Sequence, residues 1–356
     1  MTNSIERAAA WLQAWDGQGF HRTATAGDEA GAAWLAAEAA ALGGAPEFEE
    51  FTLDRRDPGA CFLEVEGERI AAVPAFDAPP TSGVTGRLGA DIAVAELSPQ
   101  AVYGGEYRRL REAGGHRGLV IVCTGEAPGL GLLNAEQFRE PYGAPAIHVA
   151  SPVRLGAQAR LVAESRRTRA FARNVVVTLP GRGAPLVVMT PRSSWWQSTA
   201  ERGGGIVCWL ETLRALIADP PPRPVVFAAT SGHELGHLGL DDFVARRPGW
   251  EREASWVHYG ANIGAAGGQL SVMSADDGLR QLAAAEIAPD RLAPKTVVPS
   301  GETRDIHLAG GTYLTLVGAN RLFHLPQDRW PDAVDVTRIA GVAAAAARVV
   351  RLCACT

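Results

Sequence analysis

The chain has 356 residues, enough for two domains of ordinary size, each with its own apolar core. Its net charge is −5, and acidic and basic residues are interspersed along the sequence. Nucleic acids and anionic membranes are bound through concentrated basic surfaces, so this composition argues against both as partners. No apolar run approaches the ~20 residues that a membrane span requires.

The first residues predict a helix rather than a secretion signal, because Glu6 and Arg7 stand where a signal would need an apolar core. The cysteines are five in number and scattered. Reduced thiols explain an odd, scattered set better than a disulfide framework does. We therefore expect a cytoplasmic protein whose cysteines are all free.

Three regions follow one another along the chain. Residues 1–45 predict helices, including an alanine-rich helix over 28–42 that stops at two glycines. Residues 46–170 contain short β runs separated by Pro- and Gly-rich turns, with one helix over 105–113. That pattern is typical of a small β-rich insert.

From residue 174 onward, strands alternate with helices. The runs 174–179, 185–190 and 224–230 are nearly all apolar, which indicates strands buried on both faces. Helices are predicted at 205–218, from about 235 onward and at 336–352. Further strands are predicted at 255–263 and 312–318. This alternation predicts a mainly parallel sheet covered by helices, with ligands bound beyond the carboxyl ends of its strands.

The most distinctive string runs from His233 to His237, directly after a predicted strand. As an HExxH metalloprotease motif, it would place both histidines on one helix face, with Glu234 as general base. That motif lies inside a long helix, whereas here Gly232 and Gly236 flank the string. The glycines favour a strand-to-helix junction instead.

Five motifs follow one another along the chain: the strand LVVMT, the helix start ERGGG, the segment FAATSGHELGHLG, the strand end ANIG and the late segment LFHLPQD. This order resembles the co-catalytic zinc exopeptidases, the family of bacterial leucyl aminopeptidases, glutamate carboxypeptidase and glutaminyl cyclases. The resemblance implies a three-layer α/β sandwich with a mainly parallel central sheet, formed by residues 1–45 and 171–356. The insert at 46–170, with GVTGRLG, GLVIVCT and APAIHVA, is similar to that family's protease-associated domain.

The same resemblance implies which residues would hold zinc. Glu234 falls on the family's glutamate ligand, and His324 falls on its late histidine. Three other ligand positions are occupied by Pro191, Ala200 and Ala261, which offer no metal-binding side chain. Two neighbouring divalent ions need several anionic oxygens to offset their repulsion, so a dinuclear site is not expected.

The resemblance therefore implies at most one zinc ion, held by Glu234, His237 and His324, with His233 as the alternative to His237 and Glu201 as a further candidate ligand. His233 stands where active members of the family carry a general-base glutamate, and when it is not a ligand it is the predicted catalytic proton-transfer group. Structural roles remain open as alternatives. Glu234 and His324 would then be hydrogen-bonded residues without a metal, and His237 would be a packing residue.

Four residues around the start of the predicted helix 205–218 are candidate substrate-binding residues: Arg192, Trp195, Glu201 and Arg202. A guanidinium beside aromatic faces suits a polar small molecule, whereas a surface ion pair beside packed indoles is the alternative. His258 and Asn262 alternate along a strand and could also face the site. The resemblance places substrate-facing loops near Glu302, Arg304 and Asp305.

Two functions follow from these observations. The first is a metal-dependent hydrolase that acts on an amide or peptide-like bond of a small-molecule or peptide-like substrate. The second is a catalytically silent binding protein that keeps the exopeptidase pocket but has lost the metal. Metal content distinguishes the two.

Overall fold

The computed structural model describes residues 3–102 and 105–355. The helices are α1 (Ser4–Asp16), α2 (Ala26–Ala41), α3 (Glu106–Ala113), α4 (Gly204–Ala218), α5 (Leu238–Ala245), α6 (Trp250–Glu253), α7 (Asp277–Ile287), α8 (Thr303–Leu308) and α9 (Val336–Cys355). The strands are β1 (Pro46–Val65), β2 (Glu68–Ala71), β3 (Val73–Pro74), β4 (Thr81–Arg87), β5 (Ile92–Leu97), β6 (Gly118–Cys123), β7 (Ala146–Val149), β8 (Gln158–Leu179), β9 (Leu186–Pro191), β10 (Val225–Thr230), β11 (Ser255–Tyr259), β12 (Leu270–Met273), β13 (Arg291–Leu292) and β14 (Thr312–Gly318). In the described ranges, no helix combines the length and hydropathy of a membrane-spanning segment.

The main sheet has ten strands, in the order β13-β12-β14-β11-β9-β10-β8-β1-β2, with β4 also paired to β8. Its central strands β14, β11, β9 and β10 run parallel to one another. The loops that follow parallel strands open at the same edge of the sheet. The predicted α/β class with a mainly parallel central sheet is confirmed.

Helices cover both faces of this sheet. Val188, Phe227 and Val257 pack into the larger core with residues of α1, α2, α4, α7 and α9. Their strand neighbours Val187 and Val226 point to the opposite face and pack against α5 and its surroundings. Because side chains alternate between faces and both faces are covered, these strands are apolar throughout. The result is a three-layer sandwich.

Two long strands connect the sheet to the insert. β1 and β8 pair antiparallel along almost their whole length, with a register shift between Pro58 and Cys61. The last residues of β8 pair with β10, whereas its first residues pair with β4. A separate sheet, β3-β7-β6-β5, packs against the far part of β1 and β8 through residues that include Leu63, Val120 and Leu161. The insert predicted at 46–170 therefore shares two continuous strands with the main sheet.

The sequence predicted only short strands in this part of the chain, and this expectation was wrong for β1 and β8. The arginine-rich run at 166–173 lacks the apolar pattern from which strands are predicted, so this part of β8 was not predicted. Across the pair, Arg173 lies 2.8 Å from Glu50, and Arg169 lies 3.7 Å from Asp54. Cross-strand pairs of opposite charge therefore take the place of an apolar pattern here.

The close approach of α4 to the loop after β11 gives a test of this packing. A Cβ added to Gly204 would stand 1.8 Å from the carbonyl oxygen of Ile263. We expect Gly204→Ala to lower the free energy of unfolding by at least about 2 kcal/mol, because backbone must move to make room. Urea denaturation measures the change.

Gly341 in α9 is the matched control, because nothing lies within 4 Å of an added Cβ there. At that exposed helix position, alanine should raise the free energy of unfolding by about 0.5–1 kcal/mol. Equal urea midpoints for the two variants would contradict the packing described above.

Candidate active site

A cavity of about 610 Å³ opens at the carboxyl edge of the central strands. Its wall includes His233 after β10, Asn262 after β11 and Asn320 after β14. Gln100 and Glu126 of the insert also line it. Ligands of parallel sheets bind at this edge, so the cavity is the candidate active site.

The loop after β10 is held in a tight, non-helical conformation. Gly232 and Gly236 both have a φ of 82°, and a Cβ on Gly232 would stand 2.7 Å from the Cβ of Leu238. Only glycine adopts such a backbone without strain, which explains both residues. The string from His233 to His237 is consequently a 3-10 turn followed by α5, and the continuous helix of an HExxH metalloprotease is not formed.

Glu302, directly before α8, lies between two histidines. Its Oε1 is 2.7 Å from Nδ1 of His233, and its Oε2 is 3.4 Å from Nε2 of His258. Burial alone would raise the pKa of Glu302, but the neighbouring histidines hold it well below its usual range. Burial lowers the pKa of His233 to about 4, and the guanidinium of Arg202 acts in the same direction. At neutral pH the pair is thus a carboxylate and a neutral imidazole.

His237 adds a third possible metal ligand to this pair. Ligating atoms of His233, His237 and Glu302 lie within 4.8 Å of one another, the one such group in the part of the chain that the structure describes. Nδ1 of His237 is 3.1 Å from a carboxylate oxygen of Asp305. Burial acts to lower the pKa of His237, but Glu302 and Asp305 together raise it. We call these three residues the His233–His237–Glu302 group.

A second buried cluster consists of Glu201, Arg202 and His324. Oε1 of Glu201 is 2.7 Å from Nη2 of Arg202 and 3.3 Å from Nε2 of His324. Burial would raise the pKa of Glu201, but Arg202 and His324 lower it to about 2. Glu201 belongs to a π-helical turn at Thr199–Gly203, whose N–H groups at residues 200 and 201 donate to Asp328. That turn fixes the carboxylate beside the guanidinium.

The side chain of Glu234 accepts hydrogen bonds from Thr23 and Ser193, which belong to neither cluster. Its Oε1 accepts from the backbone N–H and the hydroxyl of Thr23, each at 2.7 Å, and its Oε2 accepts from the hydroxyl of Ser193 at 2.6 Å. Burial raises the pKa of Glu234, and these hydrogen bonds oppose the increase. Of the three predicted zinc ligands, only His237 is in the His233–His237–Glu302 group. Glu234 anchors the loop, and His324 faces Glu201.

The four predicted substrate-binding residues lie in the interior and do not line the cavity. Arg192 is buried and pairs with Asp28 at 2.7 Å. Trp195 stacks on Phe76 of the insert, with ring centroids 4.8 Å apart. The other two form the buried ion pair described above. These residues therefore do not face the cavity, and their ion pairs lie in the interior and not on the surface.

A loop of the insert at 124–138 crosses the site. The carbonyl oxygen of Leu132 lies 2.7 Å from Nδ1 of His324, and the N–H of Ala135 donates to the carbonyl of Glu234 at 2.8 Å. The same loop brings Glu126 to the cavity wall. The loop at 124–138 therefore forms part of the site.

Glu302 was not predicted as a possible ligand, although its loop was expected to face the substrate. The family's ligand positions lie directly after strands and in the late segment at 322–328. Glu302 lies in neither place, because it directly precedes α8. The signal present in the sequence is a glycine followed by two acidic residues at the start of a short helix, Gly301, Glu302 and Asp305. Gly301 has a φ of 72°, and a Cβ on it would meet His233 and His258 at 3.7 Å.

Solved structures share this architecture. A zinc aminopeptidase from Bacillus subtilis superposes with a TM-score of 0.78 over 97% of this chain and 94% of that one, at 18% sequence identity. The chain has the fold of the zinc aminopeptidases. An aminopeptidase from Aneurinibacillus follows with a TM-score of 0.72 and 14% identity, over 97% of this chain and 93% of that one.

The glutaminyl cyclase of Porphyromonas gingivalis gives a TM-score of 0.54 over 97% of both chains, at 11% identity. No protein family model and no curated protein sequence matches the chain. The fold that the motif order implied is confirmed by these structures.

The anchoring role of Glu234 leads to a prediction for Ser193. In Ser193→Ala, Oε2 of Glu234 loses its donor in the interior, which should lower the free energy of unfolding by about 1–3 kcal/mol. Chemical denaturation measures the loss. Ser194→Ala is the neighbouring control, because that buried hydroxyl donates to the neutral carbonyl of Trp196. A larger loss for Ser194→Ala than for Ser193→Ala would contradict the role given to Glu234.

Proposed function

We propose that this protein is a metal-dependent hydrolase that cleaves an amide or peptide-like bond, with one ion held by His233, His237 and Glu302. The observation that carries the proposal is that ligand-type atoms of these three side chains lie within 4.8 Å of one another and that two of the residues, His233 and Glu302, line the cavity. Two imidazoles and one carboxylate are a ligand set of catalytic zinc sites. The fold of the zinc aminopeptidases supports the assignment.

The chemistry of the donor atoms fits one such ion. Nε2 of His233 is buried and has no hydrogen-bond partner, and Oε2 of Glu302 is buried 3.4 Å from Nε2 of His258, outside hydrogen-bonding geometry. Buried polar atoms of this kind are costly unless a ligand satisfies them. The carboxylate of Asp305 contacts Nδ1 of His237 and orients that ring, as outer partners do for metal-bound histidines.

A divalent ion held by these three residues would polarise a carbonyl oxygen and would lower the pKa of water towards neutrality. With His233 in the ligand group, the proton-transfer role expected for it passes to His258. Nε2 of His258 is buried 3.4 Å from Oε2 of Glu302, outside hydrogen-bonding geometry, and His258 lines the cavity. Its Nδ1 faces the hydroxyl of Thr303 at 3.4 Å, which holds the ring in place.

The cavity suits a small or peptide-like substrate. Its volume of about 610 Å³ lies within the range of small-molecule sites, roughly 300–1,000 Å³. The side-chain amides of Asn262 and Asn320 belong to its wall, where Nδ2 of Asn320 donates to Oδ1 of Asn262 at 3.2 Å. Phe323 adds an apolar surface. These groups offer polar recognition of an amide and contact with one apolar side chain.

Metal content tests the proposal directly. Protein purified without a histidine tag and dialysed after exposure to zinc should retain about one ion per chain by elemental analysis. His237→Ala and Glu302→Gln should lose it, because each removes one of the three ligands. Asp305→Asn should weaken zinc binding roughly 10–100-fold, because His237 keeps its place but loses its carboxylate partner.

His116→Ala is the control for these variants, because His116 lies in the insert and contacts the carbonyl of Gly114. It should bind zinc as the wild-type chain does. A folded wild-type protein that retains no metal would remove the hydrolase proposal and favour the silent binding protein.

Activity should separate proton transfer from metal binding. On whichever amide the wild-type enzyme cleaves in a panel of N-acyl amino-acid amides and short peptides, His258→Ala should lower kcat about 10²–10⁴-fold while zinc content stays unchanged. Leucyl anilide should be turned over far more slowly than about 10 s⁻¹, the median for enzymes. Unchanged kcat in His258→Ala would exclude this residue from the reaction.

A further inference from the structure

We propose that a cavity between the paired strands β1 and β8 and the start of α5 is a binding site for a phosphate group, held by the guanidinium groups of Arg56 and Arg167. The inference goes beyond the proposed function, because neither arginine belongs to the candidate active site. The cavity has a volume of about 240 Å³, and its wall includes residues of both strands, Phe138 of the insert and Leu238 of α5. That volume lies below the roughly 300–1,000 Å³ of drug-sized sites, so the ligand is small.

The wall of this cavity is positively charged. Its charged side chains are one aspartate and four arginines: Asp54, Arg56, Arg139, Arg167 and Arg169. Arg139 lies 2.7 Å from Asp241, and Arg169 lies 3.7 Å from Asp54, so each of these two has a carboxylate partner. Within residues 3–102 and 105–355, no carboxylate lies within 4 Å of Arg56 or Arg167.

Arg56 is a buried cation that lacks an anionic partner. The residue is only 5% exposed, and its Nη1 donates to the neutral carbonyl of Ala78. Burial lowers the pKa of Arg56, and repulsion from Arg167 lowers it further, whereas Asp77 acts in the opposite direction. A buried charge is costly unless it is paired, so an anion in the cavity would stabilise this guanidinium.

The register of the two strands shows that this arrangement is exceptional. Three arginines of β8 lie opposite acidic residues of β1: Arg166 opposite Asp57, Arg169 opposite Asp54 and Arg173 opposite Glu50. Arg167 instead lies opposite Arg56, and like charges in directly opposed positions repel. The pattern of opposite charges is therefore broken at the position where the cavity lies.

The geometry favours a phosphate group over a carboxylate. Each guanidinium presents its N–H groups as a planar fork that matches two oxygens of one ligand. Two forks from paired strands need oxygens on two sides of the ligand, which a tetrahedral phosphate provides. A phosphate group also carries a charge of about −1.5 to −2 near neutral pH, enough to offset both arginines. Thr52 on the same wall accepts from Arg169 at 2.8 Å, which leaves its hydroxyl hydrogen to donate to the ligand.

Binding of inorganic phosphate to the purified chain tests the site. Isothermal titration calorimetry at constant ionic strength should find a phosphate site in the wild type. Its affinity should fall about 10–100-fold in Arg167→Ala, because a charge-assisted hydrogen bond is lost. Arg166→Ala is the matched control, since it removes the same charge from the next residue of the strand, which does not line the cavity. It should bind phosphate as the wild type does.

Arg167→Glu gives an independent test with a readout that needs no ligand. It places a carboxylate opposite Arg56, where the phosphate is expected, and residue 167 is exposed, so the fold tolerates the change. Without phosphate this variant should melt at a higher temperature than the wild type, and phosphate should not raise its melting temperature further. Glycerol 3-phosphate is the second probe. Affinity equal to that of inorganic phosphate shows that the site accepts a phosphomonoester, and weaker binding assigns the site to the free ion.

Three results would overturn the inference: no phosphate binding by the wild type, equal affinities in the wild type and Arg167→Ala, or a lower melting temperature for Arg167→Glu than for the wild type. Phosphate bound at the His233–His237–Glu302 group would persist in Arg167→Ala and be lost in Glu302→Gln, and the inference would then fail while the hydrolase proposal stands. If the wild type holds no zinc but binds phosphate through Arg167, the hydrolase proposal fails and this inference stands.

Discussion

The site depends on the buried carboxylate of Glu234. A polar group in the interior is costly unless it is hydrogen bonded, and here the carboxyl group accepts three hydrogen bonds from Thr23 and Ser193. These bonds tie the loop after β10 to the segment between α1 and α2 and to the loop after β9. Since His233 is the adjacent residue in the same turn, its ring is directed towards Glu302 at 2.7 Å. The other site residues are arranged around this fixed turn.

The sequence predicted the central sheet well because its strands are buried on both faces and are nearly all apolar. β9, β10 and β14 lie within a residue of their predicted bounds, and α4 and α9 begin within a residue of their predicted starts. β12, α7 and α8 were not predicted, and β8 was predicted only at its apolar end. In these elements the stabilising contacts are with other segments, so the local pattern carries little signal.

The site residues were predicted less completely, for a similar reason. The string from His233 to His237 marked the correct loop, but Glu302 lies 69 residues from His233 and joins it only in the folded chain. Likewise, no motif indicates that Thr23 and Ser193 surround Glu234. Motifs identify which residue types are present, whereas the direction of each side chain is set by partners that are distant in sequence.

The contacts of the site also constrain when it can form. Thr23 and Glu234 are 211 residues apart, and Leu132 and His324 are 192 residues apart. During synthesis the N-terminal part of a chain is available first, and closing long loops costs entropy before the contacts that they bring are gained. β1 can pair with β8 while the chain is still growing, but the cavity cannot be complete until Phe323, the last residue of its wall, has left the ribosome. A nascent or truncated chain that ends before β14 therefore lacks part of the cavity wall, and the cavity is completed late in folding.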